Sequence, residues 1–209
     1  MSATAHYRHG DVLRSRSVSD VVVHGQVTVP APPERLRRDW QHEINRHLQL
    51  QPGDVEVLPL ARARTHWPDY RHCVQAAADW TQSLGLKDLL SHSDIALMAC
   101  RGAALHHDGA QYGGCAFCNL FLSDDRGLDL HFVNLGLRIP LQRGTVVMFD
   151  TCQAHEVIAR GSACFAASDF PDERDLTQVF LTWELPIDDP QLTQLLGLRF
   201  GAPSSLNAG

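Results

Sequence analysis

The segment LHHDG, residues 105–109, sets two histidines next to an aspartate in a chain of 209 residues. A His-x-Asp pair on a strand can offer two ligands to one metal ion, because alternate side chains of a strand point to the same face. Spacing alone does not establish a site, since a chain with twelve histidines and this acidic content contains roughly one such pair by chance. The sequence contains three pairs: His9 with Asp11, His92 with Asp94, and His106 with Asp108.

The third pair has the surroundings that favour metal chemistry. The first pair lies in a polar N-terminal segment, and the second lies in LLSHSD, which is typical of a turn between a helix and a strand. AALHHD instead has the pattern of a strand end, so alternation predicts that His106 and Asp108 share one face while His107 points to the other. We therefore expect a site at the third pair and structural roles for the other two.

A third ligand has to come from another part of the fold. Downstream, RGTVVMFDTCQAHEV predicts a turn at Arg143-Gly144, an apolar strand, a polar loop and then His155 at the start of the next strand. Two histidines and one carboxylate on one face of a small barrel form a facial triad. Such a triad leaves coordination positions open and suits non-haem Fe(II) oxygen chemistry. His155 is therefore the candidate third ligand.

Two amphipathic helices are predicted in the first part of the chain. The first starts after VPAPP, with Pro33 suited to an early helical position, and runs through ERLRRDWQHEINRHLQ. The second covers about DYRHCVQAAADWTQSLGL and ends near Gly85. Each has an apolar face that should pack on a sheet. These faces are formed by Leu36, Trp40, Ile44 and Leu48 in the first helix, and by Cys73, Ala76, Ala77 and Trp80 in the second.

From Asp94 onward the sequence changes to short β-rich runs separated by turn residues. Runs at this spacing favour an antiparallel sandwich or barrel over alternating α/β units. After Pro186, DPQLTQLLGL predicts a short helix followed by a polar tail. The eight β-rich runs are DIALMAC, AALHHD, CAFCNLFLS, LDLHFVN, LRIPL, TVVMFD, HEVIA and TQVFLTWEL.

Composition argues against several classes of protein. With 209 residues, 44% of them hydrophobic, we expect one domain with a substantial core. The net charge of −6 argues against a nucleic-acid partner, and we expect the basic stretches RSRS and ERLRRDW to be solvated surface. No apolar run has the length of a membrane span, and the N-terminus lacks the apolar core of a signal peptide. We therefore expect no membrane partner and a cytoplasmic location.

The six cysteines are too sparse for a disulfide scaffold, and several lie inside apolar runs. In CAFC, Cys115 and Cys118 have the spacing of a chelating pair, but they fall in a predicted strand. Their odd separation sends the two side chains to opposite faces. We therefore expect both cysteines to be structural.

The order of these features resembles the Fe(II)/2-oxoglutarate-dependent dioxygenase superfamily, and it is most similar to the prolyl-hydroxylase-like branch. The resemblance covers roughly Asp94 to Leu185. It is carried by HxD, by a stretch of strands that includes LDLHFVNLGLRIPLQRGTVVMF, by a histidine followed by Glu-Val, and by a further strand with a tryptophan.

The resemblance implies a double-stranded β-helix, a mainly β jelly roll of the cupin-like kind with α+β content. Residues 94–186 would be its core, residues 1–93 a helical support packed on the sheet, and residues 187–209 a short helix and tail of the same domain.

The resemblance also implies an iron ion held by His106, Asp108 and His155, with 2-oxoglutarate as co-substrate. The activity that it implies is hydroxylation of an unactivated carbon, with release of succinate and CO2. Tyr112 and Asn119 follow the first ligand pair and are secondary candidates for hydrogen bonds to the co-substrate.

One part of the family pattern differs in this chain. The family usually has an Arg or Lys on the last core strand, about ten residues after the distal histidine, which pairs with the far carboxylate of 2-oxoglutarate. Here that stretch reads ACFAASDF and contains no cation. If GSACFAASDFPDE is an insertion, Arg174 opens the last strand and takes this place, because an arginine fork suits a carboxylate. Arg160 and Arg138 are the alternative anchors.

Two alternatives to an oxygenase stay open. One is a cupin-like metal-binding protein or sensor without turnover, which the missing cation favours. The other is a metal-independent β-sandwich in which the triad is coincidental. For an oxygenase, the substrate would be a small molecule or a protein side chain, since the acidic charge disfavours a nucleobase.

Overall fold

The computed structural model describes residues 3–10 and 12–201, which form twelve strands and five α-helices. The strands are β1 (Thr4–His9), β2 (Val12–Ser17), β3 (Val22–Gln26), β4 (Val55–Leu58), β5 (Asp94–Cys100), β6 (Ala103–His106), β7 (Cys115–Phe121), β8 (Leu128–Phe132), β9 (Leu137–Leu141), β10 (Thr145–Asp150), β11 (His155–Ala159) and β12 (Gln178–Pro186). The α-helices are α1 (Glu34–Glu43), α2 (Leu60–His66), α3 (Tyr70–Ser83), α4 (Gly109–Tyr112) and α5 (Pro190–Leu195). Shorter helical segments lie at Ile44–Leu48, Leu89–His92, Val133–Leu135 and Ala167–Asp169.

The strands form two facing sheets and a separate hairpin, and all their pairings are antiparallel. The major sheet has six strands in the order β3-β10-β7-β12-β5-β4, and the minor sheet has four in the order β6-β11-β8-β9. Strands β1 and β2 form the hairpin. From β5 to β12 the chain passes repeatedly between the two sheets, which is the connectivity of a jelly roll. The mainly β fold predicted from the sequence is therefore confirmed.

Each of the eight predicted β-rich runs forms one strand, from β5 to β12. The predicted C-terminal helix is α5, whose first turn is capped by the Asp189 carboxylate. That carboxylate accepts hydrogen bonds of 2.9 Å from the backbone N–H groups of Gln191 and Leu192. The local sequence pattern and the helix cap are therefore sufficient to predict these strands and this helix.

The strands β1 to β4 are not predicted, although the sequence analysis assigned the first 93 residues to a helical support region. Strands β3 and β4 are the outermost strands of the major sheet. No residue of β3 is fully buried, and Leu58 is the buried residue of β4, so neither strand has an alternating pattern. Their neighbours β10 and β5 supply the hydrogen bonds that define them. The N-terminal region therefore contributes strands as well as helices.

The two predicted amphipathic helices are present. The first consists of α1 and the π-helical turn that continues it, and it buries Leu36, Trp40 and Ile44. The second is α3, which buries Cys73 and Ala77. All five residues belong to one hydrophobic cluster with the outer face of the major sheet. No helix in the described part of the chain is long and apolar enough to cross a membrane.

Both faces of the inner strands of the major sheet are buried. Their side chains therefore alternate between a core on the helix side and a core between the two sheets. On β7, Cys118 and Leu120 belong to the cluster on the helix side, whereas Phe117 and Phe121 belong to the core between the sheets. Cys115 shares the inward parity of Phe117, so it and Cys118 lie on opposite faces, as predicted. Within the described residues all six cysteines are free.

The basic stretch RSRS is not uniformly solvated, and the expectation is wrong for Arg16, which is 1% exposed. Its guanidinium donates hydrogen bonds of 2.7 and 2.6 Å to the two oxygens of Asp150, and its Nε donates to the Gly113 carbonyl at 2.9 Å. Asp150 also accepts from the backbone N–H groups of Ser19 and Cys152, both at 2.9 Å. This buried pair fastens the β1–β2 hairpin to the end of β10. The arginines of the other basic stretch, ERLRRDW, are exposed as expected.

We predict that Asp150→Ala lowers the free energy of unfolding by about 3–5 kcal/mol, because it leaves the Arg16 charge buried without its partner. The measurement is urea denaturation of the metal-free protein. Glu34→Ala is the matched control, since it removes an exposed partner of Arg37 and should cost less than about 1 kcal/mol. Equal losses in the two variants would contradict a stabilising role for the buried pair.

Candidate metal centre

The three predicted ligands come together between the two sheets. His106 is the last residue of β6, Asp108 follows just before α4, and His155 is the first residue of β11. Strands β6 and β11 pair antiparallel with His106 directly opposite His155. Because of this register, the two imidazoles lie side by side with their ring centroids 4.4 Å apart.

The Asp108 carboxylate lies next to both imidazoles. Its Oδ1 is 3.8 Å from Nε2 of His106, and its Oδ2 is 3.6 Å from Nε2 of His155. One potential ligand atom from each side chain lies within 4.8 Å of the other two. Two imidazole nitrogens and one carboxylate oxygen at this spacing can hold a metal ion such as iron, with coordination positions left open.

A backbone carbonyl orients each imidazole. Nδ1 of His106 lies 2.7 Å from the carbonyl oxygen of Ala104, and Nδ1 of His155 lies 2.9 Å from that of Gln153. A carbonyl can only accept, so each Nδ1 carries the proton and donates it. In the neutral form of each ring Nε2 is therefore the unprotonated nitrogen, and both Nε2 atoms face Asp108 with a lone pair available for a metal.

Thr151 joins the turn that carries Asp108 to the loop that precedes His155. The backbone N–H of Asp108 donates to the Thr151 carbonyl at 2.8 Å. The Thr151 hydroxyl donates to the Tyr112 carbonyl at 2.7 Å, with the Cys115 carbonyl at 2.9 Å. Thr151 is fully buried, so these bonds are shielded from water. They hold the carboxylate and the second histidine in a fixed relation.

His155 lies in an aromatic pocket. Its ring centroid is 4.9 Å from that of Phe149 and 5.9 Å from that of Phe132, and the residue is 6% exposed. Burial lowers the pKa of His155 to about 4, since the charged imidazolium would lose its hydration. The imidazole is therefore neutral at neutral pH, which is the form that binds metals.

The other predicted histidines lie away from this group. His107 is exposed, and its Nδ1 accepts a hydrogen bond of 3.2 Å from the backbone N–H of Gly109. His92 is exposed at the end of a short helical turn, as expected for a turn residue. Of the first pair, Asp11 lies outside the described residues.

A cavity of about 390 Å³ opens beside the triad, within the size range of small-molecule sites. All three candidate ligands line it, and so do Tyr112 and Asn119, the two residues predicted to bind the co-substrate. The Tyr112 hydroxyl accepts a hydrogen bond of 3.0 Å from the Gln111 amide. Asn119 is 8% exposed, and its Oδ1 has no hydrogen-bond partner in the protein. An unpaired buried amide oxygen is a group that a ligand or water would satisfy.

The inward side chains of the major sheet line this cavity in layers that the strand register defines. Phe149 contacts His155 and pairs with Phe117, so the first layer lies at the triad. The layers contain, in order, Phe117 with Glu184, Asn119 with Thr182, and Phe121 with Phe180. Burial, and then the nearby Asp94, raise the pKa of Glu184.

The three predicted anchor arginines do not line the cavity. Arg174 is exposed in the loop before β12, which begins at Gln178. Arg160 and Arg138 are bound to other parts of the chain. Their partners are the carboxylates of Asp125 and Asp129 for Arg160, and the carbonyl groups of Ser162 and Ala163 for Arg138.

Thr182, Glu184 and Thr151 are parts of the site that are not predicted from the sequence. A signal for the first two is present in TQVFLTWEL, where the polar residues Gln178, Thr182 and Glu184 share one parity of an otherwise apolar strand. Such a pattern indicates a strand with a polar inner lining. No comparable signal marks Thr151, because its role depends on a contact between distant turns.

Comparisons with known proteins give structural neighbours at low sequence identity. No family model and no curated protein sequence matches the chain. Among solved structures, the viral collagen prolyl hydroxylase vCPH of Paramecium bursaria Chlorella virus-1, solved with 2-oxoglutarate, has 9% identity and a TM-score of 0.44 over 79% of this chain and 94% of that one.

Two enzymes of nogalamycin biosynthesis, both described as non-haem and α-ketoglutarate-dependent, are also similar. The epimerase SnoN has 14% identity and a TM-score of 0.37, over 89% of this chain and 91% of its own. The carbocyclase SnoK has 11% identity and a TM-score of 0.38, over 88% of each chain. At these identities the likeness concerns the fold of the chain and not its activity.

We predict that a divalent ion stabilises the protein through the triad. At about one hundred times its dissociation constant, Fe(II), Mn(II) or Co(II) should add roughly 2.7 kcal/mol, a rise in melting temperature of about 5–10 °C. His106→Ala should abolish this rise, whereas His107→Ala should retain it, because His107 is exposed outside the triad. Thermal melts of chelator-stripped protein measure both. Equal loss in the two variants would contradict the assignment of the ligands.

We also predict that the metal-free protein loses stability as the pH falls from 7 to 5. In this range His155 becomes protonated in the unfolded chain. In the folded protein it stays neutral, because burial lowers the pKa of its imidazole. The unfolded state then binds more protons, so the free energy of unfolding falls with decreasing pH, by about 1–2 kcal/mol for this group. Denaturant titrations at a series of pH values measure the slope. The free energy of unfolding should change less steeply with pH in His155→Gln than in the wild type. An unchanged slope would contradict the prediction.

Proposed function

We propose that this protein is an Fe(II)-dependent oxygenase that uses a 2-oxo acid as co-substrate and hydroxylates an unactivated carbon of a small molecule or a protein side chain. The observation that carries the proposal is that His106, Asp108 and His155 all line one largely apolar cavity. Ligands bound at the open coordination positions would therefore be enclosed by protein rather than by bulk water.

The charges of the site suit a 2-oxo acid. A divalent ion with Asp108 and two neutral imidazoles has a net charge of +1, which favours one bound carboxylate. The carboxylate and the adjacent keto oxygen of a 2-oxo acid can occupy two neighbouring positions on the metal. Bound iron would supply the activation of O2, and the protein would supply binding, orientation and the exclusion of water.

The surrounding residues have identifiable roles in this proposal. The carbonyls of Ala104 and Gln153 keep both Nε2 atoms directed at the ion. Phe149 covers His155 and excludes water from that side. Asn119 and Thr182 offer an amide and a hydroxyl to a ligand in the otherwise apolar interior. Each of these residues binds, orients or shields a group at the candidate metal.

A metal-binding protein without turnover is the second candidate function. The observation that favours it is that no Arg or Lys occurs among the described residues that line the cavity. A buried cation would normally pair with the second carboxylate of 2-oxoglutarate. Measurement of turnover distinguishes this candidate from an oxygenase.

We predict that the Fe(II)-loaded protein consumes O2 and releases CO2 when it is supplied with a 2-oxo acid that it binds. An oxygen electrode and CO2 capture are the readouts, and they require no knowledge of the hydroxylation substrate. Asp108→Ala should reduce both signals to the background of free Fe(II), whereas His107→Ala should retain them. Metal binding with no O2 consumption across a panel of 2-oxo acids would favour the second candidate.

A further inference from the structure

The cavity beside the triad contains groups of only one sign of charge. Its described lining includes no Arg or Lys, and the two histidines at the triad would be neutral as ligands of a bound metal. The ionisable groups besides the triad and the Tyr112 phenol are two carboxyl groups, Glu56 and Glu184, and one cysteine, Cys100. Away from a metal bound at the triad, a negatively charged group of a ligand would therefore find no opposite charge among the described residues that line this cavity.

The part of the cavity beyond the triad is mostly apolar. Asn119 and Thr182 lie opposite each other across β7 and β12, and the next pair on the same face is Phe121 and Phe180. The rings of this second pair are 5.1 Å apart. The remaining deeply buried lining residues share an apolar or weakly polar character: Cys100, Ala103, Leu130 and Val157.

This lining does not fit the distal carboxylate of 2-oxoglutarate. A 2-oxo acid that chelates the metal must direct its side chain into the remaining space of the cavity. A carboxylate there would lose its hydration without gaining an ion pair, and burying an unpaired charge is strongly unfavourable. The Asn119 amide and the Thr182 hydroxyl can donate hydrogen bonds, but they cannot neutralise a charge.

The charge balance at the metal points to the same conclusion. A divalent ion and Asp108 together have a charge of +1, which one carboxylate of a 2-oxo acid neutralises. A second carboxylate would leave the enclosed site with a net negative charge. An uncharged side chain leaves it neutral, and an apolar one also gains the burial of its surface against Phe121 and Phe180.

From this lining we infer that the co-substrate of the site is a 2-oxo acid with an uncharged, apolar side chain, and that the Phe121–Phe180 pair selects it over 2-oxoglutarate. This inference rests on the proposed function. The reaction balances as R–CO–COO⁻ + O2 + S–H giving R–COO⁻ + CO2 + S–OH. The 2-oxo acid and the substrate S–H are each oxidised by two electrons, and O2 is reduced by four.

The test compares two ligands of similar shape and different charge. In 5-methyl-2-oxohexanoate, an isopropyl group replaces the distal carboxylate of 2-oxoglutarate. Each ligand is titrated calorimetrically into Mn(II)-loaded protein without O2, so that binding is measured apart from turnover. We expect the apolar ligand to bind about 10- to 100-fold more tightly. Equal or tighter binding of 2-oxoglutarate, or no binding of either ligand, would overturn the inference.

A variant that supplies a cation provides an independent test. Phe180→Arg introduces a guanidinium on the inner face of β12, and it should shift the preference toward 2-oxoglutarate by at least about tenfold. A thermal melt first establishes that the variant folds, and Thr182→Arg is the replacement if it does not. A folded variant with unchanged preference would contradict the role assigned to this layer of the cavity.

Arg174→Ala and Arg160→Ala are the matched controls, since both arginines lie outside the cavity lining. Neither should change the affinity for either ligand, and a selective loss of 2-oxoglutarate binding in one of them would identify that arginine as an anchor and overturn the inference.

Titration with Mn(II) alone separates the two proposals. Absence of metal binding would remove the proposed function itself, whereas metal binding without preference for the apolar ligand would remove the inference alone.

Discussion

The constraint on which the rest of the structure depends is that both faces of the inner strands β7, β10 and β12 of the major sheet are buried. A strand in this sheet cannot slip by one residue, because a slip would exchange every side chain that faces the helices with one that faces the minor sheet. On β7 this alternation sends Cys118 to the helix side and Asn119 into the cavity. The helices therefore do more than cover the sheet, because they fix which side chains reach the site.

The candidate centre depends on a second layer of buried polar contacts. Arg16 holds Asp150 at the end of β10, the loop of residues 151–154 that follows presents the Gln153 carbonyl, and that carbonyl orients His155. Thr151, in the same loop, fixes the backbone of Asp108. Ligands from two strands and a turn are thus linked through one short loop. Buried hydrogen bonds of this kind preorganise metal ligands, because they restrict the positions that the ligands can take.

The polarity of the cavity determines which chemistry the site suits. Three protein ligands on one side of a metal leave its other coordination positions open to small molecules. The apolar walls of the cavity exclude water from those molecules. Because the described residues of the walls include amides, hydroxyls and carboxyl groups but no Arg or Lys, selectivity would come from shape and desolvation rather than from an ion pair. The three candidate ligands and the charge of the cavity favour different co-substrates, which illustrates why function has to be argued from the whole site rather than from the metal ligands.

The sequence by itself determined the eight core strands, both long helices and the three candidate ligands, because these features depend on period-two alternation, on helical periodicity and on one-residue spacing. It did not determine β3 and β4, whose hydrogen bonds come from neighbouring strands. It also suggested Arg174 as an anchor, whereas this residue lies in an exposed loop. The burial of Arg16 and the charge of the cavity were decided only by the tertiary structure, because both depend on residues far apart in the chain that packing brings together.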